Sequence, residues 1–212
     1  LDDARAVAAM GEALASAHDV SAAAHLPAAL AARSAVPYVN EAGTAVTALR
    51  VEGIGPSVEA RCRDLRNMFA PLGDGEELHR MYSRQFWQEI RDAAPFAGDA
   101  RALWRISLPP AEGAKLVAAL GQSLIAEAYY DWAGGLVWLA LAAGEDASAD
   151  SVHAAVAAHG GHATLLRAPA DVRAAVAVFM PQAPAVAALT KRLKESFDPV
   201  GVLNSGRMYP GV

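Results

Sequence analysis

From residue 101 the chain alternates. Ala102, Trp104, Ile106 and Leu108 face one way and Arg101, Leu103, Arg105 and Ser107 the other, the two-residue period of a half-buried strand. Pro109-Pro110 ends that strand. The pattern then predicts a helix over 111–120, a strand over 123–131, a tight turn at Gly134-Gly135 and an antiparallel return over 136–141. A helix over 148–158 is closed by Gly160-Gly161, and 162–167 reads as another strand. Strand, helix, strand, strand, helix, strand is the order of a ferredoxin-like split βαβ unit.

The N-terminal half is less regular. Asp2 caps a predicted helix over 3–17 with Val7, Met10 and Leu14 on one face. Residues 20–26 read as a short strand, 33–45 as a loop or strand entry, and 46–54, rich in β-branched residues, as a strand. Pro56 then opens a helix whose Val58, Cys62, Leu65 and Phe69 form an apolar stripe. After a break at 71–75, Leu78, Tyr82, Phe86 and Ile90 recur every four residues, and a last helix from 182 aligns Val186, Leu189, Leu193 and Phe197. The expected fold is α+β: an antiparallel sheet with helices on one face, a ferredoxin-like cap over 1–180, and a C-terminal helix and tail over 181–212. The earlier strands and helix raise the alternative of a partial duplication.

Composition changes the picture in three ways. The chain is 54% hydrophobic over 212 residues, but much of that is alanine, so core weight rests on the scattered Leu, Val, Ile, Phe and Trp. A net charge of −5 argues against nucleic acid as a partner, which needs a basic stripe. The longest apolar run, 136–143, is strand-sized and far short of a membrane span. Acidic Asp2 and Asp3 stand where a signal peptide would be basic, and the first residue is Leu, so the sequence reads as a piece of a longer, cytoplasmic protein. Cys62, the only cysteine, fits a reducing compartment and reads as a buried structural thiol.

Candidate chemistry is sparse until the end of the chain. Gly53-Ile-Gly55-Pro56 sits between a strand and a helix, where a dinucleotide fingerprint would lie, but Val58 replaces its third glycine and Pro56 removes a donor, so an ordinary turn is expected. His159 and His162 flank two glycines; without further ligands they do not make a metal site, and none is expected. Tyr129, Tyr130 and Trp132 near the hairpin tip are either sheet packing or a wall for a planar ligand. The alternation puts Tyr130 and Trp132 on one face, Tyr129 and Asp131 on the other. The tail FDPVGVLNSGRMYPGV at 197–212 is the most pointed feature. Asp198-Pro199 stops the helix, and Asn204, Gly206 and Arg207 offer an amide, an open backbone and a guanidinium to a ligand. Lys191, Arg192 and Lys194 suit the end of that helix.

That tail resembles the closing motif of FAD-linked oxidases of the vanillyl-alcohol oxidase/PCMH type. LWRISLPP at 103–110, DWAGGLVW at 131–138 and GGHATLLR at 160–167 sharpen the resemblance, from about residue 46 onward, to the C-terminal part of FAD-binding subunits of bacterial glycolate oxidases. The resemblance implies a ferredoxin-like cap over a flavin held mainly by an N-terminal domain outside this sequence, with FAD as cofactor. It implies flavin contacts at Asn204, Gly206 and Arg207, and a substrate side at Arg105, Trp132 and His162, with His162 the catalytic candidate. It further implies oxidation of a small 2-hydroxy acid, glycolate, to glyoxylate. The implied partners are a catalytic flavin subunit and an iron–sulfur subunit, with no membrane span and at most a peripheral place at the inner membrane. Two departures qualify this. Ser205 stands where the family motif has Pro, and GGHAT at 160–164 keeps a histidine without the acidic and amide neighbours of the family's catalytic subunits. The second departure opens the reading that the whole subunit binds flavin without itself oxidising glycolate, relaying electrons or holding the complex together. Because the flavin domain lies outside this sequence, the isolated fragment is expected to be inactive. The competing reading is a non-enzymatic ferredoxin-like module for small-molecule binding or oligomerisation, which has no need of the tail chemistry.

Overall fold

The computed structural model describes residues 1–142, 144 and 146–212. Ala143, the end of the apolar run, lies outside them. In chain order the elements are α1 (Asp3–Ala15), β1 (Val20–Leu26), α2 (Ala28–Ala31), α3 (Pro37–Asn40), β2 (Val46–Val51), α4 (Gly55–Phe69), α5 (Arg80–Arg91) and β3 (Ala102–Ser107). They continue with α6 (Gly113–Leu120), β4 (Ala126–Asp131), β5 (Leu136–Leu141), α7 (Ala149–Ala158), β6 (His162–Arg167), α8 (Ala170–Ala175) and α9 (Pro184–Phe197).

The strands form one sheet in the order β2-β1-β4-β5-β3-β6, with every neighbouring pair antiparallel. Its four strands β3 to β6, with crossovers α6 and α7, are the ferredoxin-like unit the alternation predicted. β1 extends the sheet beside β4 through a single registered pair, His25 with Tyr130, because β4 ends at Asp131 and the start of β1 runs past it beside the hairpin turn.

The alternation of β3 separates two cores. Trp104 and Ile106 pack with Tyr130, Val137 and Leu139 under α1, α6 and α7, using Met10, Leu116 and Val152. Leu103 packs with Tyr129, Leu136 and Trp138 on the opposite face, under Leu30, Val39, Phe86 and Ile90 of α2, α3 and α5. Helices were expected on one face; both are covered. The reason is that β5 is apolar on both sides and β4 buries Tyr129 on one face and Tyr130 on the other, and strands buried on both faces need two lids. The partial duplication has no counterpart as a second complete unit, because β1 and β2 pair directly as an added hairpin. Cys62 is half-buried rather than buried, since α4 lies against the edge strand β2 and buries only Leu65 fully.

Trp104 anchors the first core: it is wholly buried, donates its indole N–H to the Ala147 carbonyl at 3.1 Å and meets His153 edge-on. Trp104→Ala is expected to cost about 3–5 kcal/mol of unfolding free energy, the usual penalty for emptying a large aromatic site. Urea denaturation checks this, and a loss below about 1 kcal/mol contradicts the packing described.

The turn at Gly53 to Gly55 is built around Arg61. Its guanidinium donates to the Glu52 carbonyl at 2.6 Å and the His18 carbonyl at 3.1 Å. A Cβ on Gly53 would lie 3.1 Å from that guanidinium, so the glycine makes room for an arginine rather than a phosphate.

Candidate functional site

The site is assembled where the β4–β5 hairpin turns. Asp131 ends β4, and its carboxylate accepts the Trp132 backbone N–H at 2.7 Å. Trp132 and Ala133 then both adopt left-handed backbone, with φ of 51° and 55°. Non-glycine residues in that region carry strain, and such strain gathers where a side chain must be aimed. What holds it is close packing. A Cβ on Gly113 would come within 2.3 Å of the Gly134 carbonyl, and one on Gly134 within 2.7 Å of the Pro110 carbonyl. The β3–α6 connection is wedged against the hairpin tip, and only glycine fits at either point.

The left-handed step corrects one expectation. Strand parity puts Trp132 on the face of Tyr130; instead the step throws it toward the face of Tyr129, where its ring lies 5.3 Å from the Arg105 guanidinium. The strand period ends at Asp131, so alternation no longer governs the next side chain.

Arg105 stands at the centre of this face. It pairs in register with Trp138 on β5 and Thr164 on β6. Its guanidinium is half-buried and, among the described residues, makes no hydrogen bond or ion pair; the Trp132 ring is the contact that holds it. Trp138 beside it is buried and stacked on Tyr129 at 6.2 Å, yet its indole N–H has no partner among the described residues. Buried donors are nearly always satisfied, so an orphan of this kind marks a place for a ligand, water or partner. His162, the first residue of β6, is exposed and lies two residues from Thr164, on the same face as Arg105. Asp131 borders this group; burial pushes its carboxyl up, against the pull of the Trp132 N–H and the Arg105 charge.

Thus Arg105, Trp132 and His162 share one sheet face, and sequence reasoning missed its fourth member, Trp138. Trp138 joins Arg105 through the β3–β5 register, a pairing of strands that are not consecutive in the chain and that strand parity alone does not fix. His159 turns elsewhere, its Nδ1 lying 2.8 Å from Glu112 Oε2. Among the described residues no group of His, Cys, Asp and Glu could hold a metal ion.

The tail forms a separate assembly. Asp198 organises it: the carboxylate accepts from Lys194 Nζ at 2.5 Å, Val202 N at 3.0 Å and Leu203 N at 2.8 Å. Lys194 also donates to the Leu203 carbonyl. Lys and Asp four apart at a helix end, followed by Pro-x-Gly, were the overlooked signal for this turn. Beyond it Asn204 is left-handed at φ 48°, Gly206 N–H donates to the Val212 carbonyl at 2.7 Å, and Arg207 N–H to the Asn204 carbonyl at 3.2 Å. Asn204, Gly206 and Arg207 are all exposed, and neither the Asn204 nor the Arg207 side chain has a hydrogen-bonding partner among the described residues. No hydrogen bond or ion pair joins them to Arg105, Trp132 or His162 among the described residues. The link is indirect: Tyr209 packs on Phe179 at 6.1 Å, and Phe179 bridges to Thr164. The apolar face of α9 is uncovered, with Phe197 80% exposed and no residue of the helix buried.

The Asp198 carboxyl is held down to about 2, chiefly by Lys194 and then by the Leu203 N–H. A carboxyl lowered in the folded state stabilises its turn above the ordinary carboxylate range near 4 and loses that contribution as pH falls toward about 2. Amide protection at Val202 and Leu203, followed by NMR, is expected to fall as pH drops below about 4. Protection unchanged across that window would contradict the role given to Asp198.

No family model matches the chain. In sequence it is 37% identical over 162 residues to the glycolate oxidase subunit GlcE of Escherichia coli (strain K12), a match covering 76% of this chain and 38% of that relative. The chain thus spans well under two thirds of the relative it matches. The chain is similar in sequence to the glycolate oxidase subunit GlcE, over about two fifths of that subunit's length.

Proposed function

We propose that this chain is the cap and closing segment of a flavin-dependent subunit that takes part in oxidising glycolate to glyoxylate. The observation that carries it is the pairing, on one sheet face, of an unpaired guanidinium at Arg105 with an orphaned buried N–H at Trp138. The sequence relationship supplies the reaction class.

The residues present fit such a group. Two donors without partners suit a carboxylate or the polar edge of a ring, and the exposed Asn204, Gly206 and Arg207 offer an amide, an open backbone and a cation. FAD, when bound, supplies the two-electron acceptor, held mainly by an N-terminal domain outside this chain. Arg105 would grip the substrate carboxylate, with Trp132 fixing the plane of its guanidinium. His162 would take the hydroxyl proton as the substrate's C–H bond is oxidised. Residues 181–212 would return to the flavin domain, laying Val186, Leu189, Leu193 and Phe197 against it, which accounts for an apolar helix face with no cover in this chain. A catalytic flavin subunit and an iron–sulfur subunit are the proposed partners, and any place at the inner membrane would be peripheral. Among the described residues no helix is long and apolar enough to cross a membrane.

The test is anaerobic mixing of the full-length subunit, in its complex, with glycolate. Bleaching of the visible flavin band is expected, and loss of its rate in His162→Ala. A subunit that carries no flavin, or a complex whose flavins stay oxidised with glycolate, overturns the proposal.

A further inference from the structure

Beyond β6 the chain comes back alongside the sheet. The Leu165 N–H donates to the Val178 carbonyl at 2.8 Å and the Met180 N–H to the Ala163 carbonyl at 3.2 Å, so residues 178–180 lie antiparallel along the outer edge of β6. Alternation then decides where each side chain goes. Val178 and Met180 pack against the first core. Phe179 bridges to Thr164 and therefore stands on the opposite face, the face of Arg105. It ends a row that runs Trp138, Arg105, Thr164, Phe179 across the sheet. Two strand spacings, about 10 Å, separate it from Arg105.

The tail returns to this one residue. The Tyr209 ring lies 6.1 Å from that of Phe179, and its hydroxyl donates to the Met180 carbonyl at 3.4 Å. Among residues 199–211 Tyr209 alone is half-buried; the others are exposed. The loop between is tied to itself, since the Gly206 N–H donates to the Val212 carbonyl at 2.7 Å and the Val212 N–H to the Tyr209 carbonyl at 3.2 Å. The segment that carries Asn204, Gly206 and Arg207 is thus held at one end by the Asp198 carboxylate and at the other by the Tyr209 ring. A loop fixed at both ends has less freedom to lose when it binds than a loop fixed at one.

We infer that Tyr209 is a positioning residue. Seated on Phe179, it sets the tail at the β6 edge so that Asn204, Gly206 and Arg207 meet the same bound group as the Arg105 face. The inference rests on the flavin reading above and joins its two halves. Tyr209 acts through the loop it holds, by ordering that loop before the ligand arrives.

The test is FAD titration of the deflavinated full-length subunit, followed by quenching of flavin fluorescence, in a double-mutant cycle. Tyr209→Ala is expected to weaken FAD about tenfold, and Tyr209→Phe, which keeps the ring, to stay within about threefold of the unaltered subunit. Arg207→Ala should cost about tenfold alone but less than about threefold in the Tyr209→Ala background, because a loosened loop no longer aims the guanidinium. A prop that only adds stability would leave the two losses additive. Unchanged affinity in Tyr209→Ala, no loss in Arg207→Ala, or additive losses overturn the inference. Hydrogen exchange without FAD separates this failure from that of the flavin reading. Exchange over 204–212 should be faster in Tyr209→Ala than in the unaltered subunit, and unchanged exchange there overturns the inference even where FAD binds. Faster exchange in a subunit that binds no FAD overturns the function proposed above, and with it the ligand named here, while the anchoring of the tail stands.

Discussion

Replacing Arg105 with Gln in the full-length subunit is expected to cut glycolate-dependent turnover of its complex about a hundredfold, with the flavin still bound. The side chain is poised but unpaired. It rests on Trp132 at 5.3 Å, sits across from an orphaned indole N–H at Trp138, and forms no ion pair among the described residues. A half-buried cation that makes no ion pair even with its neighbour Asp131 costs stability unless something else uses it. A bidentate contact to a substrate carboxylate would be worth about 3 kcal/mol, which is about a hundredfold in rate or affinity. Gln keeps length and polarity but loses the charge and the fork. Arg105→Lys should fall between the two, because it keeps charge without the planar geometry. The split between KM and kcat separates roles: a carboxylate clamp raises KM, whereas a general disturbance of the cap also releases flavin. Turnover within about threefold of the unaltered protein, under about 0.7 kcal/mol on the scale where 1.4 kcal/mol is tenfold, would remove Arg105 from the substrate side.

Truncation after Phe197 carries the second large effect. The described cores end at Met180, and residues 198–212 touch the cap mainly through Tyr209, whose hydroxyl reaches the Met180 carbonyl at 3.4 Å. Losing the tail should therefore leave the cap folded, with a change in unfolding free energy of no more than about 1 kcal/mol, as for other surface contacts. Flavin affinity of the full-length subunit should nevertheless fall by about a hundredfold or more, the equivalent of two charge-assisted contacts. The Asp198 turn explains the asymmetry. It is a built structure, with three donors on one carboxylate, that leaves the exposed Asn204 and Arg207 side chains without a hydrogen-bonding partner among the described residues. A free-standing binding or oligomerisation module would tolerate the deletion with its ligand or self-association intact. Full flavin retention in the truncated subunit would favour that second reading.

How far the sequence revealed this depends on which physical signal each element carries. The β3–α6–β4–β5–α7–β6 unit was legible because Trp104, Ile106 and Leu108 alternate with Arg105 and Ser107, and because Pro109-Pro110 and Gly160-Gly161 mark its boundaries. The second lid was not, because α2 and α3 are four residues each, too short to show a helical period. Arg105 and His162 could be placed on one face from strand parity alone. Trp132 could not, since its position depends on a left-handed turn that parity does not describe and that packing around Gly113 and Gly134 enforces. Trp138 escaped notice because burial and an unmet indole N–H are properties of the assembled sheet. Asp198 was visible as a helix stop, but its three partners come from both sides of the turn it makes.

Hydrogen exchange on the full-length subunit, with and without FAD, tests most directly whether this chain caps a flavin. Slower exchange on FAD binding is expected in two separate places, the peptides containing Arg105, Trp132 and His162 to Thr164, and the peptide spanning Asn204 to Arg207. Protection confined to residues outside this chain, with both of these regions unchanged, would contradict the account.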